Sequence, residues 1–88
     1  MAKYSLRIKK SAIKDLETIG TKADRIRVIK RIQLLADDPR PRGSQKLSGR
    51  EHYRVRQGRF RILYTILDQE LIVYVIKVAD RKDIYRKR

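Results

Sequence analysis

The sequence predicts a single α+β domain: an N-terminal strand, a two-helix hairpin, then an antiparallel β-meander closed by a short C-terminal helical tail. Three patterns predict it. Residues 3–9 alternate apolar and polar side chains, as a strand with one buried face does. Residues 11–36 carry apolar side chains at helical spacing, broken once at Gly20. Residues 53–64 alternate again, broken at Gln57 and Gly58, and an apolar run at 71–78 follows. Such an order is best satisfied by helices packed on one face of a mostly antiparallel sheet. At 88 residues and 41% hydrophobic, the chain has material for one domain, residues 1–88, with a modest core.

In the first strand Tyr4, Leu6 and Ile8 share a face. Ser11 is the expected N-cap of the first helix, with Asp15 and Glu17 early in it, where the macrodipole favours acids. Ile13, Leu16 and Ile19 give it a narrow apolar stripe, and Gly20 is its expected stop. Thr21 is expected to cap the second helix, with Asp24 three residues on. Ile26, Ile29, Ile32, Leu35 and Ala36 are its expected buried face. Pro39 and Pro41 end it, because proline disfavours helical geometry in the residue before it. A basic loop covers residues 40–49. The meander then runs from Tyr53, turns at Gln57 and Gly58, and turns again at Asp68, Gln69 and Glu70. Its last strand, residues 71–78 (LIVYVIKV), is apolar at nearly every position, so both faces are expected to be covered. In the tail, a helical turn starting at Asp80 sets Arg81 and Tyr85 four residues apart on one face.

Charge separates the function classes. Lys and Arg number 24 against 10 Asp and Glu, a formal +14, which points to a polyanionic partner. There is no cysteine, hence no disulfide framework, thiol nucleophile or cysteine-based zinc site. With one histidine and no clustered carboxylates, no metal and no cofactor is expected. No stretch approaches the roughly 20 apolar residues of a membrane span. The opening MAKYSLRIKK lacks an apolar core of signal-peptide length, so the cytoplasm is the expected location and no membrane partner is expected.

The basic residues concentrate in the hairpin. Between residues 40 and 61 stand eight basic side chains and one acid, Glu51. Tyr53, Val55, Phe60, Ile62 and Tyr64 mark the apolar face; Arg54, Arg56, Arg59 and Arg61 mark the other. A two-residue turn at Gln57–Gly58 puts Arg56 opposite Arg59 and Arg54 opposite Arg61. Like charges directly opposite on a sheet are destabilising. Arginine forks suit phosphate, so an anion is the natural relief, although a solvated basic face is the plainer reading. Against RNA such a patch has two possible roles: positioning backbone phosphates, or stabilising the added charge of a phosphoryl transition state. His52 is the tempting general base but reads as a loop or strand-start residue. Asp80 can orient Arg81 or simply cap the tail. Tyr53, Tyr64 and Tyr74 fit core positions.

Taken together, the KLSG…YRVRQGRFRILY block, the closing VIKVADRKDIY and the strand–helix–helix–meander order resemble the RelE/ParE superfamily of toxins, its RelE branch in particular. The likeness runs nearly end to end. It implies a toxin of a type II toxin–antitoxin system that acts as a ribosome-dependent mRNA endonuclease. The RNA's own 2′-hydroxyl attacks the neighbouring phosphate in the ribosomal A site, without a metal. Carried over by position, the resemblance implies catalytic roles for Arg54, Arg56, Arg61, Arg81 and Tyr85. Arg61 and Arg81 hold the scissile phosphate. Arg54 and Arg56 neutralise backbone charge and help orient the 2′-hydroxyl. Tyr85 stacks on a base or takes part in proton transfer. Lys46, Arg50 and Arg59 are the expected RNA- or ribosome-binding residues. Relatives often carry lysine at Arg54 or Arg56, and histidine or lysine at Asp80, so the general base is not identified by this pattern. The implied partners are a cognate antitoxin and the 70S ribosome with its mRNA. Three other functions stay open: a ParE-like inhibitor of DNA gyrase, a non-catalytic RNA- or ribosome-binding module, or an inactive relative kept only as an antitoxin partner.

Overall fold

The computed structural model describes residues 3–47 and 51–81. Among them are strands β1 (Ser5–Ile8), β2 (Gln45–Lys46), β3 (His52–Gln57), β4 (Phe60–Leu67) and β5 (Ile72–Asp80), with helices α1 (Lys10–Glu17) and α2 (Lys22–Leu34) between β1 and β2. The sheet order is β1-β5-β4-β3-β2. β1 runs parallel to β5, and every other pairing is antiparallel. The expected α+β order is therefore present. The helical tail expected after Asp80 lies outside the described residues beyond Arg81.

One face of the sheet meets the helices. Val55, Phe60, Ile62, Tyr64, Ile66, Val73, Val75 and Val78 pack there against Ala12, Leu16, Ile19, Val28, Ile32 and Leu35. Burying this apolar surface is the main force holding the domain together. The α2 stripe differs from the expected one. Val28, Ile32 and Leu35 are buried, whereas Ile26 is 44% exposed. Steps of three residues fall about 60° short of a full turn, so Ile26 and Leu35, nine apart, lie on opposite sides. The same geometry turns Ile13 outward on α1 and brings Ala12 in.

The start of α1 also corrects the expectation. Ser11 is not the cap: Lys9 is the last extended residue, with no side-chain cap. Its N–H is committed to Val75 O at 2.9 Å, so strand pairing dictates where the helix begins. The helix ends at Thr18, ahead of Gly20, and Asp15 sits late in it, away from the positive end. Asp15 instead accepts a hydrogen bond from the Val78 N–H at 3.0 Å and lies 3.6 Å from Lys77 Nζ. That amide follows an irregularity where Leu63 pairs Lys77 while Tyr64 pairs Val75, leaving Ile76 as the extra residue. This bulge shifts the parity of β5, so Val73, Val75 and Val78 all reach the core. The shift puts Val78 rather than Lys77 in the core, while Ile72, Tyr74 and Ile76 are half-buried, so the strand is partly covered on its other side as well. The second helix is as expected: the Thr21 hydroxyl accepts from the Asp24 N–H at 3.1 Å.

Candidate functional site

The hairpin turn is Gly58–Arg59, one residue later than expected, and Gln57 pairs Phe60. Gly58 has φ +60° and Arg59 does not share the positive sign, the pattern of a type II′ turn, which wants glycine first. The slip moves the pairing by two residues. Arg56 stands opposite Arg61, and Arg54 opposite Leu63. Because the slip is even, the faces are preserved. Arg54, Arg56 and Arg61 share the sheet face turned away from the helices, while Val55 and Ile62 point to the core. Directly opposed side chains start about 5 Å apart at Cβ. Arg56 and Arg61 are thus a cross-strand pair of like charges.

The neighbours of this pair shape the site. On the β5 side Arg61 faces Ala79, which is buried. Two residues further, the Arg81 N–H donates to Arg59 O at 2.8 Å, tying the exit of β5 to the hairpin turn. Arg81 is exposed. On the β2 side, Arg54 Nη2 donates to Gln45 Oε1 at 2.6 Å. A hollow of about 370 Å³ opens beside Arg56, bounded by Gly43, Ser44 and Gln45. The ion pairs of the described residues occupy Asp15, Asp24, Asp37, Glu51, Asp68 and Asp80, and none involves Arg54 or Arg56.

Two expected binding residues go elsewhere. Arg59 belongs to the turn, and its Nη2 and Nε meet Asp80 Oδ2 at 2.8 and 3.2 Å, with the guanidinium 5.6 Å from the Phe60 ring centre. Asp80 partners Phe60 across the sheet, so this pair sits on the helix side. Asp80 therefore holds Arg59 rather than serving only to orient Arg81 or cap the tail. Lys46 partners Tyr53 and lies 3.6 Å from Glu51, so the pleat directs it away from the arginine face as well. His52 begins β3 and shares the parity of Arg54 and Arg56. Arg50 and Tyr85 lie outside the described residues. Among the described residues no three His, Cys, Asp or Glu side chains gather to hold a metal, and no helix is long and apolar enough to cross a membrane.

A second arginine cluster, unforeseen in the sequence, lies at the other end of the sheet. Arg40 donates to both carboxylate oxygens of Asp68, at 3.2 and 2.9 Å, and to the Tyr53 hydroxyl at 3.1 Å. The Tyr4 hydroxyl donates to Asp68 at 2.8 Å. The guanidinium lies 5.3 Å from the Tyr53 ring centre, and Tyr53 stacks on Tyr64. The donors from Arg40 and Tyr4 hold the Asp68 carboxyl below its usual range, and the same bonds raise Arg40 and Tyr4. Beneath this network the buried Tyr64 hydroxyl donates to Pro39 O at 2.7 Å, and burial pushes its pKa up to about 12. No sequence signal marks this cluster, since Arg40 and Asp68 are 28 residues apart.

Solved structures similar to this chain are RelE toxins. The RelBE2 toxin–antitoxin complex of Mycobacterium tuberculosis contains a chain 25% identical at TM-score 0.81, with 92% of this chain and 94% of that one covered. The archaeal RelE–RelB complex of Pyrococcus horikoshii gives 27% and 0.80, covering 90% and 96%. An Escherichia coli RelE mutant bound to an antitoxin RelB peptide gives 27% and 0.73, covering 99% and 94%. No curated protein matches the chain. The family described as ParE toxin of the type II toxin–antitoxin system parDE matches residues 6–85. Nearly the whole chain is thus accounted for, and it belongs to the ParE toxin family of type II toxin–antitoxin systems, within the RelE/ParE superfamily.

Proposed function

We propose that this toxin is a ribosome-dependent mRNA endonuclease of the RelE kind, cutting by attack of the substrate's own 2′-hydroxyl. The observation that carries the reading is the arginine face: Arg54, Arg56 and Arg61 on one side of the sheet, with Arg56 and Arg61 directly opposed. A fold tolerates such repulsion at a cost, and an RNA backbone relieves it. The RelE toxins of similar fold support the same reading.

In this mechanism the 2′-oxygen forms a bond to phosphorus and the bond from phosphorus to the 5′-oxygen breaks. The products are a 2′,3′-cyclic phosphate and a 5′-hydroxyl. The 2′-hydroxyl gives up its proton and the departing 5′-oxygen gains one. Arg61 and Arg81 hold the phosphate and offset the charge that builds on it. Arg54 and Arg56 neutralise adjacent backbone charge and keep the 2′-hydroxyl in line. Arginine holds charge but does not trade protons, so Tyr85 is the proposed titrating group, and ribosomal orientation of the mRNA supplies much of the rate. The proposed partners are the 70S ribosome with its mRNA and, at rest, a cognate antitoxin.

The test is to add the purified protein to translating ribosomes and map mRNA 5′ ends, beside Arg61→Ala and Arg81→Ala. Codon-phased cuts reduced about 100-fold or more in both variants are expected, the usual cost of losing one donor to transition-state charge. Cuts of equal strength in the variants would remove the assignment. A second reading has its own support, because the matching family is described as ParE: an inhibitor of DNA gyrase with no nuclease activity. Trapped gyrase–DNA cleavage complexes without mRNA cuts would establish it. Binding to ribosomes with neither outcome would mark a non-catalytic module.

A further inference from the structure

We infer that Gln45 is a positioning residue for Arg54: its side-chain carbonyl, on a short strand whose approach is anchored at Pro39 and Arg40, sets where the Arg54 guanidinium stands on the outer face. The kinetic consequence rests on the endonuclease reading; the geometry does not. Arg54 Nη2 and Gln45 Oε1 are 2.6 Å apart, and the two residues are cross-strand partners. A long arginine on an open face has many rotamers, and one fixed acceptor removes most of them. The acceptor here is neutral. A carboxylate in its place would orient the guanidinium but cancel its charge, and a phosphate site needs that charge kept.

What fixes Gln45 is not its own strand. β2 is two residues long and lies at the sheet edge, held by pairing to β3 and by the Leu47 N–H donating to His52 O at 2.8 Å. Its approach is anchored instead. Pro39 O accepts from buried Tyr64, and Arg40 is gripped by Asp68 and Tyr53. Between anchor and strand the chain makes one tight turn, in which the Ser44 N–H donates to Pro41 O at 3.0 Å and Gly43 takes φ +94°. A side chain at Gly43 would be strained there whatever the space around it. The path from Arg40 to Gln45 is therefore short, with an anchor at one end and a hydrogen-bonded turn before the strand.

The experiment compares wild type, Gln45→Met, which keeps the length and loses the acceptor, and Gln45→Glu, which keeps an acceptor and adds charge. Side-chain ¹⁵N relaxation reads the order of the Arg54 Nε–H; single-turnover cleavage on programmed ribosomes reads the rate. In Gln45→Met, Arg54 is expected to lose order and cutting to slow about tenfold, as for a lost hydrogen bond to a charged group. The same change is expected to cost nothing further in an Arg54→Ala background. Gln45→Glu is expected to restore the order but not the rate. Arg54 order untouched by Gln45→Met, or equal slowing in the Arg54→Ala background, would overturn the inference. If wild type cuts no mRNA, the endonuclease reading fails alone, and the Arg54 order still decides the positioning.

Discussion

Two arginine clusters sit at opposite ends of one sheet, and they are built on opposite principles. At the Arg40 end the guanidinium has a two-oxygen carboxylate partner, a phenol and an aromatic face. At the hairpin end arginines share a face in which the positions opposite them are Leu63, Ala79, Gln45 and another arginine. The chain has acids enough to neutralise that face, yet those of the ion pairs are spent elsewhere, Asp80 on Arg59 within two residues of Arg61. Ion pairing therefore holds the first cluster, whereas in the second the strand register sets Arg56 against Arg61. In the endonuclease proposed above, an RNA backbone is what offsets that opposed pair.

The largest stability loss is expected for Tyr64→Phe. It leaves the buried Pro39 carbonyl without its donor, which costs about 2 kcal/mol and is read by denaturant unfolding at pH 7. The same hydroxyl sets an alkaline limit. Its folded pKa of about 12 lies above the ordinary 10.0, so the unfolded chain ionises first. The contribution is full below pH 10 and is lost as pH rises towards 12. In Tyr64→Phe that part of the decline should disappear.

A smaller loss is expected for Asp68→Ala, because its partner Arg40 is about half exposed and water screens the pair. Its pH dependence runs the other way. The folded carboxyl lies below its ordinary 3.8, so the contribution is present above that value and is lost as pH falls through the lowered one. Acid titration of wild type beside Asp68→Ala should show a difference in stability that narrows below about pH 4. A difference that persists undiminished would mean the carboxylate's charge is not what holds Arg40.

How much of this was legible in the sequence depends on the length of the pattern involved. The arginine face was legible because a period of two survives an even slip: the turn moved from Gln57–Gly58 to Gly58–Arg59 without turning Arg54 or Arg61 over. The partner of each arginine was not legible, since that depends on which turn position the glycine takes. Arg59 was lost from the face for the same reason. Ile26 and Ile13 misled because steps of three imitate a helical stripe only over a short span. β2 is too short to show any period, so Gln45 gave no sign of meeting Arg54, and Lys46 gave none of turning away. The Arg40–Asp68 contact joins two turns with no pattern between them. The bulge at Ile76 was hidden inside an apolar run that a fully covered strand would equally produce.

The most direct test of the central claim is codon-phased mRNA cleavage by Arg56→Glu beside wild type, with thermal unfolding measured on the same preparations. The substitution places a carboxylate opposite Arg61 and replaces repulsion with attraction. The expected result is a protein about 2–5 °C more stable than wild type that no longer cuts. An Arg56→Glu protein that cuts as wild type does would contradict it, because the opposed arginines would then have no ligand to justify them.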